Sequence, residues 1–342
     1  MSLYRVGIIG CGRPWKQPGA TGAGMAHAHA EGYKASPDAS LVALADIKLE
    51  NAQAFQQEHG GNMLYTDYHE MLAKEHLDIV SISTWPHLHG EMVLACAESD
   101  VKAIHCEKPI APTFGEAKRM VETCADRGVQ LTFNHQRRFD AEFQKVRELY
   151  HSGVIGKLKR MEAGCPNMFD WGTHWFDMLN FYNDETPVEW VLAQVEPRGG
   201  TPVFALYQEE QGICHLKYAN GVRATLFTGH TDSWEGYNRL IGEDGIIELD
   251  MTRKPQVRYW GKGMAGWQNV PTQEVEAVTL GILDLIEALK TDREPELSAR
   301  KALRANELIF ATYESSRRRG RVELPLTIED NPLDELVNWT KL

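Results

Sequence analysis

No stretch of this chain approaches the ~18–20 consecutive apolar residues that a membrane-crossing helix requires, so no transmembrane segment is expected. Nor is a targeting leader expected from a sequence that runs straight into the strand-like Tyr4-Arg5-Val6-Gly7-Ile8-Ile9, with no charged segment followed by an apolar one. Basic residues are in deficit, 36 against 48 acidic, and the formal charge of −12 would repel a phosphate backbone or an anionic membrane surface. Nucleic acid is therefore not an expected partner. The six cysteines form no CxxC pair and no close cluster, which argues against a zinc ribbon or a redox dithiol. Unpaired thiols of this kind fit a reducing, cytoplasmic compartment. Repeats and low-complexity tracts are absent as well. What is present is 342 residues with 43% hydrophobic content, enough for two domains with real cores.

Short apolar runs at residues 6–9, 41–45, 79–82, 103–105 and 130–133 alternate with amphipathic stretches such as 48–59 and 89–98. Strands alternating with helices predict βαβ units around a doubly wound parallel sheet, and residues 1–135 are read as a domain of α/β class. Beyond it the pattern changes. A helix is predicted over 141–151, another after Asp170, strands dominate 188–260, and two helices near 274–289 and 299–319 flank an acidic turn at 292–295. Residues 136–342 are accordingly read as an α+β domain with an antiparallel sheet. Asn220-Gly221, between Cys214-His215-Leu216-Lys217-Tyr218 and Val222-Arg223-Ala224-Thr225-Leu226, predicts a tight hairpin with positive φ at both central residues.

After the first strand, Gly10-Cys11-Gly12 would allow a tight turn and bring a pyrophosphate to a helix N-terminus. The third glycine of a GxGxxG pattern is late: Gly24, in Gly24-Met25-Ala26-His27-Ala28, lengthens the loop by about nine residues. Glycines alone do not separate a cofactor loop from an ordinary turn. Asp46 adds to them, since a carboxylate ending the second strand accepts hydrogen bonds from ribose hydroxyls and repels a 2′-phosphate. NAD is thus preferred to NADP, with Lys48 pulling the other way and a helix-capping role for Asp46 the competing reading.

The more specific signal is an ordered set of motifs. Ile82-Ser83-Thr84-Trp85-Pro86-His87-Leu88-His89 precedes Glu107-Lys108-Pro109-Ile110-Ala111. Arg137-Arg138-Phe139, Gly153-Val154-Ile155-Gly156, Asp170-Trp171-Gly172-Thr173-His174-Trp175-Phe176-Asp177 and Gly242-Glu243-Asp244-Gly245-Ile246-Ile247-Glu248 follow in turn. In this order they resemble the glucose-fructose oxidoreductase and inositol dehydrogenase family, Gfo/Idh/MocA, from Val6 to Leu324-Pro325-Leu326. The resemblance implies a Rossmann domain followed by an open-faced, mainly antiparallel sheet often used for dimerisation, with an active site between the domains. It maps the family lysine to Lys108, its acid and histidine to Asp170 and His174, and its cofactor contacts to Gly10, Gly12, Asp46, Thr84, His89 and Glu107, to which Cys11, Gly24, Met25, Pro86 and Lys108 are added. Two departures stand out: the long loop at residues 13–23, and Trp85 where a proline is common.

The chemistry follows from residue types. Oxidising a secondary alcohol requires hydride loss from carbon and proton loss from oxygen, and a neutral imidazole titrates in the range suited to taking that proton. If Asp170 opens a helix, it shares a face with His174 four residues on, and Asp177 could orient the ring. His174 is the expected general base, Lys108 the group that holds the reacting oxygen, and Asp170 a substrate or positioning ligand. Arg138, with Arg137, is a candidate for anionic substrates, and Trp171, Trp175, Trp234, Tyr237 and Trp267 for stacking on a sugar ring, with one of Trp175 and Phe176 facing ligand. No metal is expected, because Asp170 and His174 lack a third ligand at useful spacing, and neither Cys11 nor Cys165 has a partner histidine in sequence. The reading is therefore an NAD(P)-dependent oxidoreductase acting on a sugar, cyclitol or related polyol, working as a homo-oligomer through the second domain's sheet. The alternatives are a glycosidase that retains NAD and acts by oxidation and elimination, and a non-catalytic NAD- or sugar-sensing regulator.

Overall fold

The computed structural model describes residues 3–14, 16–20, 22–197, 206–229 and 236–339. Two compact units emerge. The first comprises Met1–Ala111, Glu116–Gln136 and Glu276–Leu303, and the second Pro112–Gly115, Arg137–Val275 and Arg304–Leu342.

In the first unit β1 (Tyr4–Ile9), α1 (Met25–Lys34), β2 (Ala39–Ala45), α2 (Leu49–His59), β3 (Met63–Tyr65), α3 (Tyr68–Glu75), β4 (Ile79–Ile82), α4 (Pro86–Ala97), β5 (Ala103–Cys106), α5 (Phe114–Asp126) and β6 (Gln130–Phe133) follow one another. Every strand pair is parallel and the order is β3-β2-β1-β4-β5-β6, the doubly wound arrangement expected. β4 is buried at every position and apolar but for Ser81, whose hydroxyl is hydrogen-bonded to that of Tyr33, because helices cover both faces. One cluster joins Ile8, Leu44, Ala26, Ala30, Ala52 and Phe55 beneath α1 and α2, and another joins Ile82, Val80, Val93 and Ile104 on the opposite side. The short β3 and α3 were not anticipated. Asp67 caps α3 by accepting from the His69 amide at 2.8 Å.

The second unit holds α6 (Ala141–His151), β7 (Leu158–Cys165), α7 (Gly172–Tyr182), β8 (Val188–Pro197), β9 (Glu209–Tyr218), β10 (Arg223–Thr228), β11 (Tyr237–Gly242), β12 (Gly245–Asp250), β13 (Val257–Gly261) and β14 (Gln268–Val270). After α8 (Ala277–Thr291) and α9 (Ala299–Arg318) it closes with β15 (Val322–Glu323) and α10 (Pro332–Trp339). Its nine strands run β14-β13-β12-β11-β7-β10-β9-β8-β15, antiparallel except for the β7–β10 pair. Period-two alternation puts Val191, Ala193, Val195, Cys214, Leu216, Ala224 and Leu226 on the buried face. Along the other face the register sets Leu192, His215, Thr225, Glu162, Arg239, Glu248 and Arg258 in one row across seven strands.

Two expectations need correction. A single division after residue 135 misses the return of Glu276–Leu303 to the first unit. There Ile282, Leu285 and Ile286 of α8 complete an apolar cluster with Val6, Tyr33, Ile79 and Ala103, and Gly32 of α1 leaves room for Ile282, 2.8 Å from where a Cβ would stand. The β9–β10 hairpin forms where Asn220-Gly221 predicts it, but only Gly221 has positive φ. Tyr218 receives the Gly221 amide and gives its own amide to Val222, so the loop has three residues with glycine in the left-handed position. Asn220 Oδ1, accepting from the Val222 amide at 3.1 Å, supplies the bond that makes this turn preferable.

Candidate active site

The turn after β1 is built on its glycines. Gly10 has φ 86° and a Cβ there would lie 2.8 Å from Thr84 Cγ2, while Gly12 has φ 56° and open space on its Cβ side. Gly24, at φ 70°, precedes α1, whose first amides have no side-chain cap, and a Cβ on it would strike the Arg13 carbonyl at 2.7 Å. Asp46 Oδ2 accepts from the Gly12 amide at 3.0 Å, and its other oxygen accepts from the Lys48 amide at 2.9 Å. One carboxylate thereby ties the Gly-Cys-Gly turn to the end of β2. An uncapped helix N-terminus, a positive-φ glycine turn with free space beside Gly12 and a carboxylate at the second strand's end fit a dinucleotide. Cys11 contributes backbone only: its thiol is buried, points toward the Ala45 carbonyl and is pushed up by burial. Met25 opens α1 and Pro86 opens α4, the position at which a missing N–H costs nothing.

Within the long loop the Gln17 amide donates to the Pro14 carbonyl and the Ala20 amide to that of Gln17, and Arg13 Nε donates to Asn51 of α2 at 3.2 Å. Trp15 lies outside the described residues.

His89 plays a different part from the one expected. It is fully buried in α4, with Nε2 3.1 Å from the Thr84 carbonyl and Nδ1 3.0 and 3.1 Å from those of Pro109 and Ile110. Both ring nitrogens face backbone, so the ring fastens the turn after β4 to the loop bearing Lys108 instead of meeting a cofactor directly. Burial lowers its pKa.

Lys108 follows β5, half-buried, next to Glu107. The Glu107 carboxylate is held by His29 of α1 at 2.9 Å and by the Asn134 amide at 2.7 Å. Burial opposes its ionisation, yet those hydrogen bonds and the nearby charges of His29 and Lys108 pull it down to about 2. Nothing in the sequence pattern marked His29 or Asn134 as its partners; the only hint was polar residues among apolar neighbours.

In the second unit, Asn167 rather than Asp170 shapes the approach to α7. Its Oδ1 accepts from the Asp170 and Trp171 amides at 2.8 and 3.0 Å, and its carbonyl accepts from Gly172 at 2.8 Å. Asp170 and Trp171 are half-buried in this turn, and His174 lies buried in the first turn of α7. The acid and the histidine thus come from a turn and a helix, not from one helical face.

Arg138 is not available to a substrate anion. At 1% exposure it donates to both Asp177 oxygens, at 2.9 and 2.8 Å, and to Glu185 at 2.7 Å. The Asp177 carboxylate is correspondingly committed to this guanidinium. Arg137 lies 4.5 Å from the Trp175 ring centre, with Phe143 and Trp171 on its other sides, and burial lowers its pKa.

Trp175 and Phe176 are both fully buried, so neither is left to face a ligand, and Trp175 Nε1 donates to the Tyr237 carbonyl at 3.0 Å. Trp267 is covered on one side by Arg258, at 4.2 Å. Trp234 lies outside the described residues. All six thiols are buried and unpaired, which removes Cys11 and Cys165 as nucleophiles. Among the described residues, the one grouping of three metal-ligand side chains is elsewhere, on α1 and α2.

Comparison with known proteins places this geometry. Residues 4–135 match the model of an oxidoreductase family with an NAD-binding Rossmann fold, and residues 158–324 match its C-terminal alpha/beta domain. The chain is 32% identical to myo-inositol 2-dehydrogenase of Thermotoga maritima, over 74% of this chain and 77% of that protein. It is 27% identical to D-apiose dehydrogenase of Paraburkholderia graminis, over 94% and 90%. In structure it resembles the WlbA dehydrogenase of Bordetella pertussis solved with NADH and UDP-GlcNAcA, with TM-score 0.77, 23% identity and coverage of 95% of this chain and 100% of that one.

Proposed function

The chain belongs to the Gfo/Idh/MocA oxidoreductase family, through its NAD-binding Rossmann domain and C-terminal alpha/beta domain, and from that premise we propose that it oxidises, reversibly, a secondary hydroxyl of a sugar, cyclitol or related polyol. The observation that carries the reading is the carboxyl edge of the parallel sheet. There the Gly12–Asp46 contact, the uncapped start of α1, Thr84 after β4 and Lys108 after β5 follow strands of one sheet. In open α/β sheets ligands bind outside this edge.

NAD, the cofactor of the family's Rossmann domain, would supply the hydride acceptor for the carbinol carbon. Gly10, Gly12, Gly24 and Met25 would present backbone to its pyrophosphate, and Asp46 would take the ribose hydroxyls and disfavour a 2′-phosphate. Lys108 donates hydrogen bonds to the reacting oxygen and stabilises the negative charge that develops there. His174 receives the hydroxyl proton on an imidazole nitrogen. Asp170 accepts from a second substrate hydroxyl, and Trp171 offers an apolar ring to the sugar face. His89 and Glu107 position the Lys108 loop without touching substrate. The relatives named for myo-inositol and D-apiose support a polyhydroxylated substrate. Six buried, unpaired thiols support a reducing cytoplasm, and the open sheet face supports a homo-oligomer.

The test is absorbance of reduced nicotinamide while sugars, sugar acids, cyclitols and anhydrosugars are screened with NAD and NADP separately. Accumulation of one NADH per alcohol oxidised, with NADP much poorer, is the expected result. Substrate consumed with no net reduced cofactor, or ligand bound with no turnover, would overturn the proposal in favour of a retained-cofactor hydrolase or a sensor.

A further inference from the structure

Where α1 meets the end of α2, three side chains converge that the proposed dehydrogenase reaction does not use. His27 lies in the first turn of α1, and Glu58 and His59 end α2. His27 Nδ1 and His59 Nε2 are 2.7 Å apart, and the Glu58 carboxylate lies 3.5 Å from the first and 3.6 Å from the second. All three donor atoms fall within 4.8 Å of one another. We propose that His27, His59 and Glu58 form a binding site for a divalent transition metal such as zinc, clamping α1 to the end of α2.

Three features support it. The first is donor spacing: bonds of about 2.0–2.1 Å at tetrahedral angles place ligand atoms roughly 3.3–3.4 Å apart. Each Glu58 oxygen lies near that separation from one ring, Oε2 from His27 and Oε1 from His59, so a modest opening of the imidazole pair and a turn of the carboxylate that brings one oxygen toward both rings complete a three-sided site. The fourth position is left to water. The second feature is the support behind the ligand. The other nitrogen of His59, Nδ1, lies 2.9 Å from Glu31 Oε1. A carboxylate behind a ligating histidine fixes its tautomer and strengthens it as a donor. Metal at both lone pairs requires the His59 proton on Nδ1, where Glu31 accepts it, and the His27 proton on Nε2. The third feature is rigidity and charge. Phe55 packs against both rings, at 4.7 and 4.5 Å between centres. Lys34 stands 3.1 Å from the same Nδ1, and with the ring proton there its ammonium donates to Glu31, at 2.9 Å, and to the Glu58 carbonyl, at 3.2 Å. With Glu31 and Glu58 against it, net negative charge faces an incoming ion. Imidazole and carboxylate together suit zinc over magnesium, which demands an octahedron of oxygens.

The experiment uses the full chain after chelator treatment, titrated with Zn²⁺ by calorimetry and with Co²⁺ followed by its visible absorption. Expected are one ion per chain at micromolar affinity or tighter, a tetrahedral cobalt spectrum, and a melting temperature that rises with zinc as binding to the native state alone requires. His59→Ala should abolish uptake. Glu58→Gln, at an exposed position where folding is not at risk, should weaken it, and Glu31→Gln should cost about 10–100-fold, the usual effect of losing such a supporting carboxylate. Uptake only at millimolar zinc, uptake indifferent to Glu58→Gln and His27→Asn, or loss on His174→Ala instead would each overturn the proposal.

Discussion

Arg138 holds two carboxylates in a place where water cannot replace it. Its guanidinium is 1% exposed, and Asp177, at the other end of two of its hydrogen bonds, is fully buried. Arg138→Met keeps much of the volume but strands the Asp177 charge, so a loss of about 3–5 kcal/mol is expected. Urea denaturation checks it, and the variant should remain folded enough to bind NAD, because the change lies outside the parallel-sheet unit. The opposite pattern is expected of the residues assigned to chemistry. Lys108→Ala and His174→Ala should each lower kcat by roughly 10²–10⁴-fold, the usual contribution of a positioned proton-transfer or charge-stabilising group. Their NAD affinity and melting temperatures should stay close to the parent's, as ligand titration and thermal denaturation would report; near-normal turnover in either variant would remove that residue from the mechanism. At this scale the sequence disclosed residue types but not their partners. A doublet such as Arg137-Arg138 looks like an anion site until the fold brings Asp177 and Glu185 to one arginine and three aromatic rings to the other.

Between elements, short side-chain ties decide the local geometry. Glu107 links the end of β5 to α1 through His29 and to the segment after β6 through Asn134. Its folded pKa is about 2 against an ordinary 4.5, so the native state binds fewer protons than the unfolded one between those values. Stability from this carboxylate is therefore complete above about pH 4.5 and is lost as pH falls toward 2. Glu107→Gln should flatten that part of the acid-unfolding profile, measured by denaturant midpoints across pH, while lowering stability at neutral pH. Gly24 gives a second test. Its φ of 70° and the 2.7 Å approach to the Arg13 carbonyl leave no room for a methyl group, so Gly24→Ala should distort the start of α1. A rise in the NAD KM of at least about tenfold, with kcat less affected, is the expected kinetic signature, since each 1.4 kcal/mol of lost binding is tenfold. Elements with strong periodicity, such as β4 and the β9–β10 hairpin, were legible in the sequence because burial on one or both faces dictates the pattern. The turn before α7 was not, because Asn167 closes it through a side-chain bond that Asp170 could equally have made.

For the whole molecule the sequence revealed a parallel-sheet unit followed by a mainly antiparallel one, since those patterns come from many residues at once. It hid the return of Glu276–Leu303 to the first unit, because an amphipathic helix records that it has an apolar face and not which sheet covers it. For the outer face of the second sheet, physical argument favours a second copy of the chain as its cover. A net charge of −12 opposes self-association at an arbitrary surface. On this face, however, Arg239 pairs with Glu162 at 3.0 Å and with Glu248 at 2.8 Å, and Arg258 joins Glu248, so the local charge is largely cancelled. Beside that network Leu192 and Ile213 stand 48% and 43% exposed on adjacent strands, a position that a solitary sheet would more cheaply fill with polar residues. A two-fold axis through such a face would bury each apolar pair against its own copy. Leu192→Asp combined with Ile213→Asp places like charges opposite one another across that axis, and light scattering should then report monomers where the parent gives dimers or a multiple of them. The doubly substituted chain should keep its far-ultraviolet circular dichroism, because neither side chain reaches the buried face. An unchanged mass would mean that the chain either stands alone or assembles through another surface.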